Sequence, residues 1–170
     1  MNHFFSILTL PFTVTIIIPV IILSASKSIA IGWRVSAPLN FLPLIVGASV
    51  IMFGLAPVVK TISLFATIGK GTLAPWDPPK HLVIGGVYRH VRNPMISGVM
   101  FVLLGEAILF GSILLFGWFA LFVLVNMIYI PLVEESGLAR RFGDEYLQYQ
   151  KNVPRWIPRV KAWDAVFDSE

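Results

Sequence analysis

Residues 93–133 decide the fold of this chain, and they read NPMISGVMFVLLGEAILFGSILLFGWFALFVLVNMIYIPLV. Glu106 is the single Asp, Glu, Lys or Arg in these 41 residues. As one helix the stretch would be about 60 Å long, whereas the hydrocarbon core of a bilayer is only about 30 Å thick. The stretch must therefore fold back on itself. Gly111-Ser112 is the expected turn, which predicts spans near 94–110 and 112–133.

Two earlier runs, residues 2–26 and 35–59, contain no Asp, Glu, Lys or Arg. Each is long enough for one membrane-spanning helix, which needs about 20 apolar residues. They predict two more spans, near 4–26 and 40–62. The first run lacks a positively charged start and is long for a signal peptide, so we expect a retained span. The sequence thus predicts an all-α integral membrane protein with about four transmembrane helices.

The composition supports this class. The chain has 170 residues, of which 56% are hydrophobic and 13% are charged, whereas a soluble domain is about 25% charged. The absence of cysteine excludes disulfides, cysteine-bound metals and a cysteine nucleophile. The net charge of +4 comes from basic residues beside apolar runs, which favours a membrane surface over nucleic acid as partner.

The distribution of Lys and Arg predicts the orientation. The second inter-span loop and the tail after residue 133 hold ten Lys and Arg residues, against two in the first loop. Because cytoplasmic loops carry the excess of basic residues, both termini, the second loop and the tail are predicted to be cytoplasmic. The topology therefore brings the second loop and the tail to one membrane face.

The second loop, residues 69–98, reads GKGTLAPWDPPKHLVIGGVYRHVRNPMISG. Proline and glycine interrupt regular helix in it, yet its apolar side chains need burial. Long loops with such anchors are usually functional. Asn93-Pro94 is predicted to begin the third span, because Asn is a good cap and Pro suits the first helical turn.

The tail segment, residues 134–158, reads EESGLARRFGDEYLQYQKNVPRWIP. Leu138, Phe142, Tyr146, Tyr149 and Val153 recur at the spacing of one helical face. An amphipathic C-terminal helix is therefore predicted. It would rest on the membrane interface or close the cytoplasmic end of the bundle as a lid, and the two roles are compatible.

Three acidic residues are candidates for a function. Glu134 and Glu135 either mark where the fourth span leaves the lipid or place one carboxylate inward to bind a cationic group. Glu106 lies in an apolar run, where an ionised carboxylate is costly. It is therefore protonated, faces a polar cavity, or reaches the interface near the hairpin turn. His81 and His90 lack the spacing of metal ligands, so no metal site is predicted.

The loop and the tail together resemble a family. The stretch HLVIGGVYRHVRNPM, His81 to Met95, and the stretch from Glu134 to Pro158 are similar to two signatures of the isoprenylcysteine carboxyl methyltransferase and phospholipid methyltransferase superfamily. The resemblance covers about residues 69–160. It implies a single domain, with residues 1–68 as an N-terminal two-span segment and residues 69–170 as the methyltransferase region.

The resemblance also implies a membrane-embedded enzyme that uses S-adenosyl-methionine, enclosed on the cytosolic side by the loop and the tail. Glu134 would hold the α-ammonium of this cofactor, and Arg89, Arg92 or backbone N–H groups could meet its carboxylate. Membrane lipid surrounds such an enzyme, and its methyl acceptor would be lipophilic or amphiphilic. The positions implied to bind the cofactor are Lys80, His81, Leu82, Val83, Tyr88, Asn93, Pro94, Met95, Ile96 and Glu134.

The chain departs from the family pattern at three positions. Asn93 stands where the family usually has His, and Ile96 where it has Tyr. Ile130 occupies the position of a substrate-contacting Arg in the eukaryotic carboxyl methyltransferases, so the chain is more similar to a bacterial-type branch. The resemblance favours a protein-S-isoprenylcysteine carboxyl O-methyltransferase. The alternatives are a phospholipid N-methyltransferase and a non-catalytic membrane protein of the same family.

Overall fold

The computed structural model describes residues 9–26, 30–68, 82 and 84–164, and this part of the chain is helical, without a strand. Short 3₁₀ turns occupy Ile31–Arg34 and Gly86–Arg89. A π-helical turn, Ile130–Glu134, connects the last two helices. The helices are α1 Thr9–Ser26, α2 Phe41–Ile68, α3 Pro94–Phe110, α4 Ile113–Tyr129 and α5 Glu135–Asn152.

Three helical stretches in the described part are long and apolar enough to cross a membrane. They are α1, residues Phe41–Leu64 of α2, and the continuous helix Ile113–Asn152. The apolar helix α3 has 17 residues, which makes it about 26 Å long. The prediction of an all-helical chain with membrane-spanning helices is confirmed, and the count of four spans stays a prediction.

Helices α2 and α3 pack antiparallel at very short distance through glycine. A Cβ atom on Gly98 would lie 2.6 Å from the Gly54 carbonyl oxygen, and one on Gly105 would lie 2.7 Å from that of Gly47. Both pairs are seven residues apart on each helix, so they form one contact line. Since lipid provides no hydrophobic drive for helix association, close packing at small residues stabilises such pairs.

A small apolar core connects helices α1 to α4. Val58 of α2 and Val99 and Leu103 of α3 are buried at its centre. The indole N–H of Trp118 in α4 donates a hydrogen bond to the carbonyl of Val14 in α1, at 3.2 Å. The half-buried side chains packed around this centre are Val14, Ile62, Trp118, Phe119 and Phe122.

The turn between α3 and α4 lies where the sequence places it. Helix α3 ends at Phe110, Gly111 adopts a left-handed conformation with φ of 57°, and α4 begins at Ile113. A Cβ atom on Gly111 would also lie 2.6 Å from the carbonyl oxygen of Ala30. Backbone conformation and crowding therefore both favour glycine at this turn.

Glu106 lies in the last turns of α3, four residues before the helix ends. Its side chain is half-buried. The Oε2 atom is buried and has no hydrogen-bond partner within the described ranges. The three interpretations of Glu106 therefore all stay predictions.

Candidate functional site

The site is built where the turn at residues 86–93 meets the C-terminal tail, residues 153–164. We call residues 86–93 together with residues 149–164 the turn–tail junction. The two segments are far apart in sequence, and backbone hydrogen bonds join them. The N–H groups of Arg92, Arg159 and Trp163 donate to the carbonyls of Pro154, His90 and Arg89 at 2.9, 3.0 and 3.0 Å.

Side chains reinforce this pairing. The hydroxyl of Tyr149 donates to the carbonyl of Tyr88 at 2.8 Å. The Nε atom of Arg89 donates to the Trp163 carbonyl at 2.9 Å, and the Arg89 guanidinium forms an ion pair with Asp164. These contacts satisfy backbone groups of a non-helical segment, which is what burial of such a segment requires.

The apolar stripe predicted on the C-terminal segment forms an interior face. Tyr146, Tyr149 and Val153 are buried together, and the two tyrosine rings meet edge to face with centroids 6.1 Å apart. Gly143, with φ of 52°, interrupts helical geometry three residues before Tyr146. The half-buried side chains around the three are Leu82, Ile84, Leu138, Ala139, Phe142 and Trp163.

A buried carboxylate, Glu135 of α5, binds three residues of the junction. Its side chain is only 5% exposed. The Oε1 atom accepts from Arg92 Nη1 at 2.5 Å and from Arg155 Nε at 2.8 Å. The Oε2 atom accepts from Arg155 Nη2 at 2.6 Å and from Gln150 Nε2 at 3.1 Å. Two arginines and one amide therefore satisfy both carboxylate oxygens.

This network joins three parts of the chain: the turn, the start of α5 and the tail. Arg92 also donates from Nε to the carbonyl of Val153 at 2.9 Å. The hydrogen bonds that Arg155 donates to Glu135 raise the pKa of the Arg155 guanidinium, which keeps its charge. Of the two adjacent carboxylates, the inward one is thus Glu135. Nothing in the sequence pattern singled out Arg155, because its partner lies 20 residues away.

Glu134, one residue earlier, differs from Glu135 in its surroundings. Its side chain is exposed, and it forms no ion pair within the described residues. Burial raises the pKa of the Tyr88 phenol, the charge of Glu134 raises it further, and the Thr61 hydroxyl acts in the opposite direction. Tyr88 is therefore neutral at physiological pH and lies within electrostatic reach of an unpaired carboxylate.

The start of α3 completes the candidate site. Asn93 is the N-cap residue and Pro94 the first helical residue, as predicted, although the Asn93 side chain makes no capping hydrogen bond. Asn93, Pro94 and Met95 are buried and Ile96 is half-buried. The hydroxyl of Ser97 at this helix start is buried and has no hydrogen-bond partner in the described part. Since buried polar groups are normally hydrogen-bonded, it is a candidate contact for a ligand.

Some of the remaining predicted positions lie outside the part of the chain that the structure describes. Lys80, His81 and Val83 lie outside the described residues, so their assignment stays a prediction. Leu82 packs against the buried tyrosines. Ile130 stands at the position implied, by resemblance, for a substrate-contacting Arg in the eukaryotic carboxyl methyltransferases. It is 1% exposed, so this position is apolar and buried. Among the predicted carboxylate-binding residues, Arg92 is already engaged by Glu135.

Comparison with known proteins finds a matching family and a related protein. Residues 42–145 match the model of the phospholipid methyltransferase family. The chain is 35% identical over 79 residues to a protein-S-isoprenylcysteine O-methyltransferase of Schizosaccharomyces pombe. The aligned part is 46% of this chain and 34% of that relative, so the chain spans about a third of the length of the relative it matches. No solved structure matches the chain.

Proposed function

The chain belongs to the phospholipid methyltransferase family, and from this premise we propose that it transfers a methyl group from S-adenosyl-methionine to an amphiphilic acceptor at a membrane. The observation that carries the proposal is the turn–tail junction. There Arg92 bonds Glu135, which ties the residue before Asn93 to the residue after Glu134. Two of the predicted cofactor-binding segments are thereby held next to each other.

The described residues fit such a cofactor. S-adenosyl-methionine, when bound, supplies an electrophilic methyl group on a sulfonium centre. Glu134 is an acidic group of this region that forms no ion pair with any described residue, and a carboxylate suits the ammonium of the cofactor through a charge-assisted hydrogen bond. The unpartnered Ser97 hydroxyl offers a further polar contact. Glu135, in contrast, is saturated by two arginines and has no capacity left for a ligand.

Tyr88 and the start of α3 would position the ligand. Because the Tyr88 phenol stays protonated, it can donate or accept a hydrogen bond without adding charge beside Glu134. Asn93 and Met95, which follow Tyr88 closely in the sequence, are buried. They would exclude water from the reacting groups. In-line methyl transfer depends on orientation and desolvation, so it requires no covalent nucleophile on the protein.

We infer an acceptor with a long apolar chain. Large apolar side chains are exposed along α2 and α4. An acceptor could reach the site sideways from the bilayer. The similarity to an isoprenylcysteine O-methyltransferase supports a prenylated thioether carrying a carboxylate as the first acceptor to test.

The first experiment is a calorimetric titration of S-adenosyl-methionine into the detergent-purified protein and into Glu134→Gln. Loss of a hydrogen bond to a charged group costs about 1.5–3 kcal/mol, so the dissociation constant should rise about tenfold or more. Asp144→Asn is the matched control, because it removes one exposed negative charge from α5. It should bind the cofactor like the wild type.

The outcomes separate clearly. Wild-type binding that is lost only in Glu134→Gln supports the proposed site. A wild-type protein that is folded but does not bind the cofactor would overturn the proposal and favour a non-catalytic member of the family. The acceptor is then tested with methyl-labelled cofactor, by offering an S-prenylcysteine and phosphatidylethanolamine in parallel. Label in a base-labile ester supports the carboxyl acceptor, and label in the amine headgroup replaces it with a phospholipid.

A further inference from the structure

A concave site lies between α2 and residues of the turn–tail junction. It is an open cleft of about 670 Å³ between the C-terminal part of α2 and the turn. That volume is within the range of small-molecule sites, about 300–1,000 Å³. The lining residues that matter are Val59, Lys60, Leu64, Val87, Arg89 and His90.

The lining combines cationic and apolar groups. Lys60 is exposed and forms no ion pair or hydrogen bond with any other described residue. The Arg89 guanidinium also faces this region, held by the Trp163 carbonyl and Asp164. Among the described residues that line the cleft there is no Asp or Glu. Because Asp164 pairs with Arg89, Lys60 supplies the positive charge that has no partner in the described part. An anionic group is therefore the ligand that its charge favours.

The apolar part of the lining continues along α2. Met52, Leu55 and Val59 are exposed by 68%, 39% and 57%. Their spacing of three and four residues places them on one helical face, and the next position on that face is Ser63, which lines the cleft. An exposed apolar track thus runs from the membrane-level part of α2 into a cationic cleft.

We propose that this cleft binds the phosphodiester headgroup of an anionic membrane lipid, with the Lys60 ammonium contacting the phosphate and an acyl chain lying along Val59, Leu55 and Met52. Basic pockets beside transmembrane helices bind lipid headgroups in this manner. Lysine reaches the headgroup level because its stem lies along apolar surface while its charge stays at the interface. A free phosphate would use the same cation, but it would leave the apolar track without a role.

The test uses the full-length protein in an uncharged detergent and no S-adenosyl-methionine, so it is independent of the methyltransferase proposal. The probes are dioctanoyl phosphatidylglycerol, dioctanoyl phosphatidylcholine and inorganic phosphate. Lys60→Met should weaken phosphatidylglycerol binding about tenfold, the loss expected for one charge-assisted hydrogen bond. Lys60→Arg should retain binding, because it keeps the charge. Lys151→Met is the matched control, since Lys151 is an equally exposed lysine on α5.

Saturable phosphatidylglycerol binding that depends on Lys60 and not on Lys151, with phosphatidylcholine at least tenfold weaker, supports the proposal. Equal binding of the two lipids would overturn it, and so would an equal loss in both methionine variants. Inorganic phosphate that binds as tightly as phosphatidylglycerol would show a free-anion site instead. Lys60 is exposed, so its variants should unfold at the wild-type temperature, which a thermal scan verifies.

Discussion

Close packing at glycine residues joins α2 to α3, whereas buried charges and hydrogen bonds join the turn at residues 86–93 to α5 and the tail. The first interface brings the Gly98 Cβ position within 2.6 Å of the Gly54 carbonyl. The second brings four donor atoms to the two oxygens of Glu135. The difference follows from the surroundings: helices in lipid satisfy their own backbones and need only shape. An irregular segment must instead find partners for every buried polar group.

The largest expected effect, and the most direct test of this difference, is a substitution of Glu135. Replacing Glu135 by Ala leaves the Arg92 guanidinium, 9% exposed, without its carboxylate. Removing one partner of a buried ion pair costs about 3–5 kcal/mol. We expect a loss near the middle of this range, about 4 kcal/mol, because Arg155 remains partly exposed. Titration with sodium dodecyl sulfate measures the free energy of unfolding.

Asp144→Ala is the control for this variant, because it deletes an exposed carboxylate of the same helix. It should change the free energy of unfolding by less than about 0.5 kcal/mol. If Glu135→Ala were as mild as Asp144→Ala, the buried network would contribute nothing to the junction. Its description as the link between the turn, α5 and the tail would then be wrong.

The glycine interface is tested by Gly98→Leu. The new Cβ atom would lie 2.6 Å from the Gly54 carbonyl and 2.7 Å from the Val58 side chain. Because a backbone carbonyl cannot move aside, α2 and α3 must separate. Overpacking of this kind costs about 3 kcal/mol, measured by the same detergent titration.

Gly117→Leu in α4 is the matched control. A Cβ atom on Gly117 has no neighbour within 4 Å among the described residues, so it should be tolerated with no loss of stability. Equal effects of the two leucine variants would mean that α2 and α3 are not held by close contact.

The hydrogen bond from Tyr149 to the turn predicts a smaller effect. Tyr149→Phe removes the hydroxyl that donates to the Tyr88 carbonyl and keeps the buried ring. The expected loss is about 1 kcal/mol, the net value of one such hydrogen bond. Tyr129→Phe is the control, because Tyr129 is 43% exposed. A variant of Tyr149 as stable as that of Tyr129 would show that the ring alone anchors the turn.

The two interfaces differ in how far the sequence predicts them. Charge spacing predicted the limits of α3 and the turn at Gly111, because bilayer thickness and chain length set them locally. It did not predict that α2 continues to Ile68 beyond the expected end near 62, since a helix can extend past the apolar region. The Glu135 network joins residues separated by 43 and 20 positions. Periodicity is a local signal and carries no information about such pairs.

The smallest effect on stability is expected at Glu134. This prediction compares two adjacent carboxylates, Glu134 and Glu135. Glu134 is exposed and has no cationic partner in the described ranges, so Glu134→Gln should change the free energy of unfolding by less than about 0.5 kcal/mol. The Glu135→Ala substitution next to it should change the free energy of unfolding by several times as much. Yet the proposed cofactor binding should depend on Glu134. A carboxylate that has no cationic partner among the described residues and lies near the half-buried Tyr88 contributes little to the fold. Its presence is explained if a ligand supplies the cation. A Glu134→Gln variant that is both stable and fully competent to bind the cofactor would remove that explanation.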